Sequence, residues 1–212
     1  MNFFCKDFSF RFSPNIPIRP GPPRVYLVGL GGIWNPYSQF VSEKICKVGV
    51  GLPIPILERA KHWHHDVHRP KPSGRSLTDY LLARENIVTP FSISNPLKVV
   101  VLLRFTRNIA EDLFIDLLQQ PLGNYSLEAN DTFRAFLFEV IEDQTIRRGD
   151  EITFYWFDDG SLVVAKNGEI RGNLRYPELY HGVLNIFLDP KITISPDLYH
   201  CTVKSIPSIE PI

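Results

Sequence analysis

Four histidines, His62, His64, His65 and His68, crowd into seven residues beside Asp66. On a helix, His64 and His68 stand one turn apart and can present two imidazoles to one metal ion. His65 and Asp66 then point elsewhere, and no cysteine lies nearby, so a solvated helix face accounts for the cluster more simply. Gly29-Leu30-Gly31-Gly32 follows an apolar run, as a phosphate-cradling loop does. Trp34, however, stands where a dinucleotide fingerprint requires its third glycine. Asp158-Asp159 has the look of paired carboxylates, yet Asp-Asp-Gly between two strands is turn chemistry first. Cys46 is a candidate nucleophile with no assignable histidine partner, and a small buried hydrophobe is the more frequent role. These groups assemble no catalytic set, metal site or cofactor site.

The surroundings that must position such groups are those of an ordinary globular chain. Of 212 residues, 23 are Lys or Arg and 23 are Asp or Glu, so the net charge is zero. Without a basic excess, broad electrostatic binding to nucleic acid is not expected. No apolar stretch approaches the roughly 18 to 20 residues that span a bilayer. Fifteen Phe, eight Tyr and three Trp argue against wholesale disorder. Cys5, Cys46 and Cys201 are an odd set in a chain this long. They point to reduced thiols and an intracellular setting, with cytoplasm and organelle undecided.

Residues 14–23 carry five prolines and cannot form a helix. Residues 1–24 therefore read as an extended N-terminal arm. Their bias of Lys6, Arg11, Arg19 and Arg24 against Asp7 also fits an organellar transit segment. From residue 25 onward the chain reads as one domain. Residues 25–33 and 44–52 are strands whose glycines permit a second layer or a ligand to approach closely. Residues 56–68 form a helix with Ile56, Leu57, Ala60 and Trp63 inward, and 76–85 a short second helix. Val99–Leu103 is a central strand. Asn108 and Glu111 have capping-box spacing for the next helix, with Ile109, Leu113 and Leu117 as its buried stripe. A further helix covers 128–142, with Phe133, Leu137, Val140 and Ile141 inward. Glu151–Phe157, Ser161–Ala165 and Glu169–Leu174 form a meander, joined by Asp-Asp-Gly and by Asn167-Gly168. Pro177 opens a helix bearing Leu179, Val183 and Phe187, and Ser195-Pro196 opens the last one. Hairpins dominate and no βαβ repeat occurs. The class is α+β, a mainly antiparallel sheet with helices on one face.

Six of these elements, in order, carry a resemblance. Leu27-Val28-Gly29-Leu30-Gly31, Lys44–Leu52, the strand at 99–105 with its helix, Gly149 with Ile152 and Phe154, Asp159-Gly160, and Val183-Leu184 followed by Ser195-Pro196 resemble the chalcone isomerase-like family. The resemblance covers about 25–201, and the stretch 53–96 departs most from the pattern. It implies an open-faced β-sandwich with a ligand cleft between sheet and helices. It also implies one of two activities: closure of a chalcone to a flavanone, or containment of a fatty acid in the same cleft.

The isomerase positions carry the wrong groups. Ile33 stands where the family has an arginine, Cys46 where it has a threonine, Ala110 where it has a tyrosine. Leu117 replaces an asparagine and Ile186 a threonine or serine. Cyclisation needs preorganised donors at the enone oxygen, each commonly worth a few kcal/mol. Ile, Ala, Leu and Ile supply none; they supply an apolar wall. The expectation is therefore a non-catalytic binder of a fatty acid or similar apolar molecule. Its contacts would be Ile33, Cys46, Val101, Leu103, Ala110, Leu117 and Ile186. Arg104 or Arg107 would be a bidentate anchor for the carboxylate, with Tyr26, Tyr155 or Tyr180 as second donors. Two alternatives stay open: an intramolecular lyase with a rearranged site built on Tyr155, Tyr180 and an arginine, or an accessory protein using the fold for partner contact. Oligomeric state is not legible.

Overall fold

In the computed structural model of this chain, residues 25–36, 43–68, 74–83, 96–123, 125–142 and 145–210 are described. The expected N-terminal arm lies outside them, as does most of the connection between 69 and 95. The two glycine-bearing apolar runs pair as antiparallel strands, β1 (Val25–Trp34) and β2 (Lys44–Pro53). Ile33 pairs with Cys46 but Trp34 with Lys44, so Ile45 is an extra residue on β2. This bulge turns both Ile45 and Cys46 into the core.

The central apolar run extends to β3 (Leu97–Phe105), which pairs with β2 on one side and β6 (Glu151–Phe157) on the other. Val99, Val101, Leu103 and Phe105 face the main core. Val100 faces away, into a smaller cluster with Leu97, Tyr155, Phe157 and Ala165. Burial on both faces explains why this strand reads as continuous rather than alternating. The meander continues with β7 (Leu162–Lys166) and β8 (Glu169–Leu174), completing a six-stranded antiparallel sheet ordered β1-β2-β3-β6-β7-β8. Asn167 and Gly168 take φ of 52° and 82°, as a type I′ turn requires. A two-stranded ladder, β4 (Ile109–Ala110) with β5 (Thr145–Ile146), lies apart from this sheet.

Six α-helices among the described residues contribute to the layer on the core face. They are α1 (Ile54–Val67), α2 (Leu77–Leu82), α3 (Glu111–Gln119), α4 (Leu127–Ile141), α5 (Pro177–Leu188) and α6 (Pro196–Ser205). The stripes expected for α1, α4 and α5 are buried as expected. Some helix boundaries differ: α1 begins at Ile54 rather than at residue 56, α2 spans Leu77–Leu82 rather than 76–85, and α3 starts late. The Asn108–Glu111 capping box does not form: Ile109 and Ala110 pair with β5, and α3 begins at Glu111. The Asn108 side chain instead accepts from the Arg148 N–H at 2.8 Å. The architecture is the expected α+β sheet with helices layered against it.

Candidate functional site

Six of the expected contacts meet in the layer between sheet and helices. Ile33, Cys46, Val101, Leu103, Leu117 and Ile186 all belong to one core cluster and are at most 4% exposed. Val101 stands between Val50 and Phe154 in neighbouring strands. Burial pushes the Cys46 thiol up to about 12, which removes it as a nucleophile at neutral pH. Ala110 is the exception. It is exposed, because α3 starts one residue later and Ala110 belongs to the small ladder.

At one end of the layer a cleft of about 460 Å³ opens. Ile33 and Leu117 form part of its wall. Trp34, Pro121, Ile192 and Ile194 supply further apolar surface. Gln120 and Thr193 are the polar side chains of the lining. The Thr193 hydroxyl already donates to the Phe187 carbonyl at 2.9 Å and accepts from the Ser195 N–H at 3.1 Å. The cleft therefore offers an apolar wall with one free-ended amide, in the size range of small-molecule sites. Sequence inspection misses Trp34, Pro121, Ile192 and Ile194. The one local pointer to the last two was their alternation around Thr193, just ahead of Ser195-Pro196.

The expected anion anchor is not in this cleft. Strand alternation turns Arg104 to the face away from the helices, where its side chain is half exposed and lies 3.6 Å from Glu151. Arg107 is also exposed and pairs with Glu43. Tyr155 belongs to the outer cluster. Its hydroxyl is driven to higher pKa chiefly by burial. Tyr180 lies on the core side, 7% exposed, with its hydroxyl donating to Phe157 O at 2.5 Å and its carbonyl accepting from Trp156 Nε1 at 2.9 Å. Tyr155 and Tyr180 thus sit on opposite faces of β6 and do not converge. Tyr26 packs at the margin of the main core.

The other constellations resolve into structure. The glycines of β1 admit α6: a Cβ on Gly31 would fall 2.6 Å from the Leu198 backbone nitrogen. The second layer, not a phosphate, uses the close approach. Asp159 caps its own turn, accepting from Ser161 N and Oγ at 2.9 and 2.6 Å. Asp158 faces Lys98 Nζ at 2.6 Å. His64 and His68 are neighbours one turn apart, with ring centroids 4.6 Å apart and ring planes tilted by 58°. Desolvation first, then the neighbouring imidazoles of His68 and His65, lowers the His64 pKa. No group of three or more metal-ligating side chains is assembled among the described residues.

No protein-family model matches the chain, and no curated protein matches it by sequence. Among solved structures it is similar to a fatty-acid binding protein of Arabidopsis thaliana. That likeness covers 89% of this chain and 91% of the other, with a TM-score of 0.64 and 15% identity. At this identity the likeness concerns the fold. The six-stranded sheet and its helix layer are those of the chalcone isomerase-like fold, as the order of sequence elements implied.

Proposed function

We propose that this chain is a non-catalytic binding protein for an apolar ligand of the fatty-acid type, held in the cleft at the end of the sheet–helix layer. One observation carries the reading. The layer opens where two of the replaced isomerase positions, Ile33 and Leu117, meet Trp34, Ile192 and Ile194. Each apolar contact removed from water contributes about 25 cal/mol per Å². The fold neighbour's described role as a fatty-acid binding protein supports the same ligand class. The carboxylate of such a ligand would stay hydrated at the open mouth beside Gln120, because Arg104 lies on the other face of the sheet.

The test is displacement of a fluorescent fatty acid from delipidated full-length protein, with native mass spectrometry for stoichiometry. Saturable one-to-one binding, unchanged in Arg104→Ala, is expected. Absence of saturable binding, together with no lipid on the purified protein, would overturn the reading. Chalcone turnover above background would establish the isomerase alternative instead.

A further inference from the structure

The chain is electrically neutral, but one end of the sheet is not. The segments 43–47, 104–107 and 147–151 hold six basic residues, Lys44, Lys47, Arg104, Arg107, Arg147 and Arg148, against Glu43, Asp150 and Glu151. Backbone hydrogen bonds tie the three segments together. Thr106 N donates to Ile45 O, Gly149 N to Phe105 O, and Phe105 N to Asp150 O, each at 2.9 Å. All six basic residues are exposed. Lys47 and Arg104 stand directly opposite each other in the β2–β3 register. Like charges placed so are destabilising; Glu151 offsets Arg104 and Glu43 offsets Arg107, which leaves the end of the sheet with three basic residues in excess.

Trp34 completes the patch. It is 40% exposed, lines the cleft, and pairs with Lys44, whose Nζ lies 4.9 Å from the indole centroid. The Lys44 chain crosses Gly32, where a Cβ would fall 2.7 Å from Lys44 Cε. Gly31 faces α6, so Gly32 and Lys44 face the other way, toward the side that Lys47 and Arg104 occupy. An indole beside an ammonium group, on the end of the sheet that carries the arginines, suits the boundary between acyl chains and anionic headgroups.

We infer that this end of the sheet docks the protein on an anionic lipid surface, with Trp34 at the interface and the cleft mouth beside it. The inference goes beyond the ligand-binding reading and stands without it. The vesicle and fatty-acid experiments are separate, so one can fail while the other holds.

The test uses the full chain and vesicles of phosphatidylcholine, with or without about one-third phosphatidylserine. Cosedimentation with the anionic vesicles only is expected, weakening as salt is raised. Trp63 and Trp156 are 5% and 0% exposed, so a blue shift of fluorescence on binding reports Trp34. A Lys47→Glu, Arg104→Glu variant should bind about tenfold or more weakly. Lys47→Gln, Arg104→Gln, which adds no acid beside Glu151, should fall between it and the parent. No binding to anionic vesicles would overturn the inference. So would equal binding to neutral vesicles, or binding that neither variant weakens. Capture of a soluble polyanion without vesicle binding would overturn it in favour of a different partner.

Discussion

Gly29 on β1 and Thr202 on α6 are packed so closely that a Cβ on Gly29 would lie 1.9 Å from the Thr202 hydroxyl oxygen. The hydroxyl itself donates to Leu198 O at 2.7 Å, within its own helix. α6 is thus seated on the edge strand by the absence of a side chain. Gly29→Ala should destabilise the protein by about 1–3 kcal/mol through overpacking. Thr202→Ala in that background removes the nearest atom but leaves Cβ at the 3.0 Å position, so part of the loss should return. A double-mutant cycle by urea unfolding measures this. Additive effects would show that α6 is not seated in this way.

Lys98 is the more deeply buried of two lysines in the described core, the other being Lys166. Its side chain is 3% exposed, and its ammonium meets Asp158, Leu82 O at 3.0 Å and Ala83 O at 2.8 Å. It closes the C-terminal end of α2 against the sheet. Lys98→Met leaves Leu82 O without this donor, while Ala83 O keeps Arg59 at 2.7 Å. Asp158, about one-third exposed, would rehydrate. The expected cost is therefore about 2–3 kcal/mol, below that of a fully enclosed pair. Amide exchange in α2 should rise more than exchange in α4.

The sheet was legible because its determinants are local. Alternation, β-branched runs and the dipeptides Asn167-Gly168 and Asp159-Gly160 fix strands and turns without reference to distant residues. The stripe Ile56, Leu57, Ala60 and Trp63 fixed α1 in the same way. Asn108 misled because two backbone options compete there. The β4–β5 ladder holds Ile109 and Ala110, so Ile109 reaches the core as a strand residue rather than as part of α3. The site was half legible. Ile33 and Leu117 followed from the family resemblance. The outward orientation of Arg104 was readable from parity, since Val101 and Leu103 point inward and neighbours in a strand alternate. Trp34, Pro121 and Ile192 come from three distant segments, and tertiary packing alone brings them together.

Cys46 should make the fold sensitive to alkali. In the unfolded chain its thiol releases a proton near the ordinary 9.0, whereas burial holds it at about 12 in the folded state. Above pH 9 the unfolded state binds fewer protons, so stability falls as pH rises toward 12 and is intact below 9. Cys46→Ala lowers stability at every pH by leaving space, but it should remove this slope. The parent should lose up to about 1.4 kcal/mol per pH unit more than the variant above pH 9. Tyr155 contributes in the same direction in both proteins and cancels in the comparison. Parallel pH profiles would show that the thiolate is accommodated.

His181 predicts the opposite limb. Burial, the largest cause, and the Lys98 ammonium lower its pKa, outweighing the opposing pull of Asp79. Its folded state therefore prefers neutral imidazole. The stability this confers is complete above the ordinary 6.5 and is lost as pH falls through that value toward the folded pKa. His181→Gln should flatten the profile over that window. An imidazole titration at or above 6.5 in the NMR spectrum would sink the prediction.

Gly123 permits a test of the cleft that spares the core. Leu117 and Ile33 are almost fully buried, so enlarging either would disturb packing as well as binding. Gly123 lines the same cleft, has φ of −57°, and a Cβ there meets Gln120 O at an ordinary 3.5 Å. A side chain is thus tolerated by the backbone at a position on the cleft lining. Gly123→Trp should leave the unfolding midpoint nearly unchanged, because surface substitutions away from special features fall within about 0.5 kcal/mol. Its affinity for a fluorescent fatty acid should drop about tenfold or more, since filling part of a 460 Å³ cleft excludes several methylenes worth about 0.8 kcal/mol each. Gly123→Ala, which reaches only the rim, should bind as the parent does. Equal affinity in all three proteins would count against this cleft as the place of the ligand.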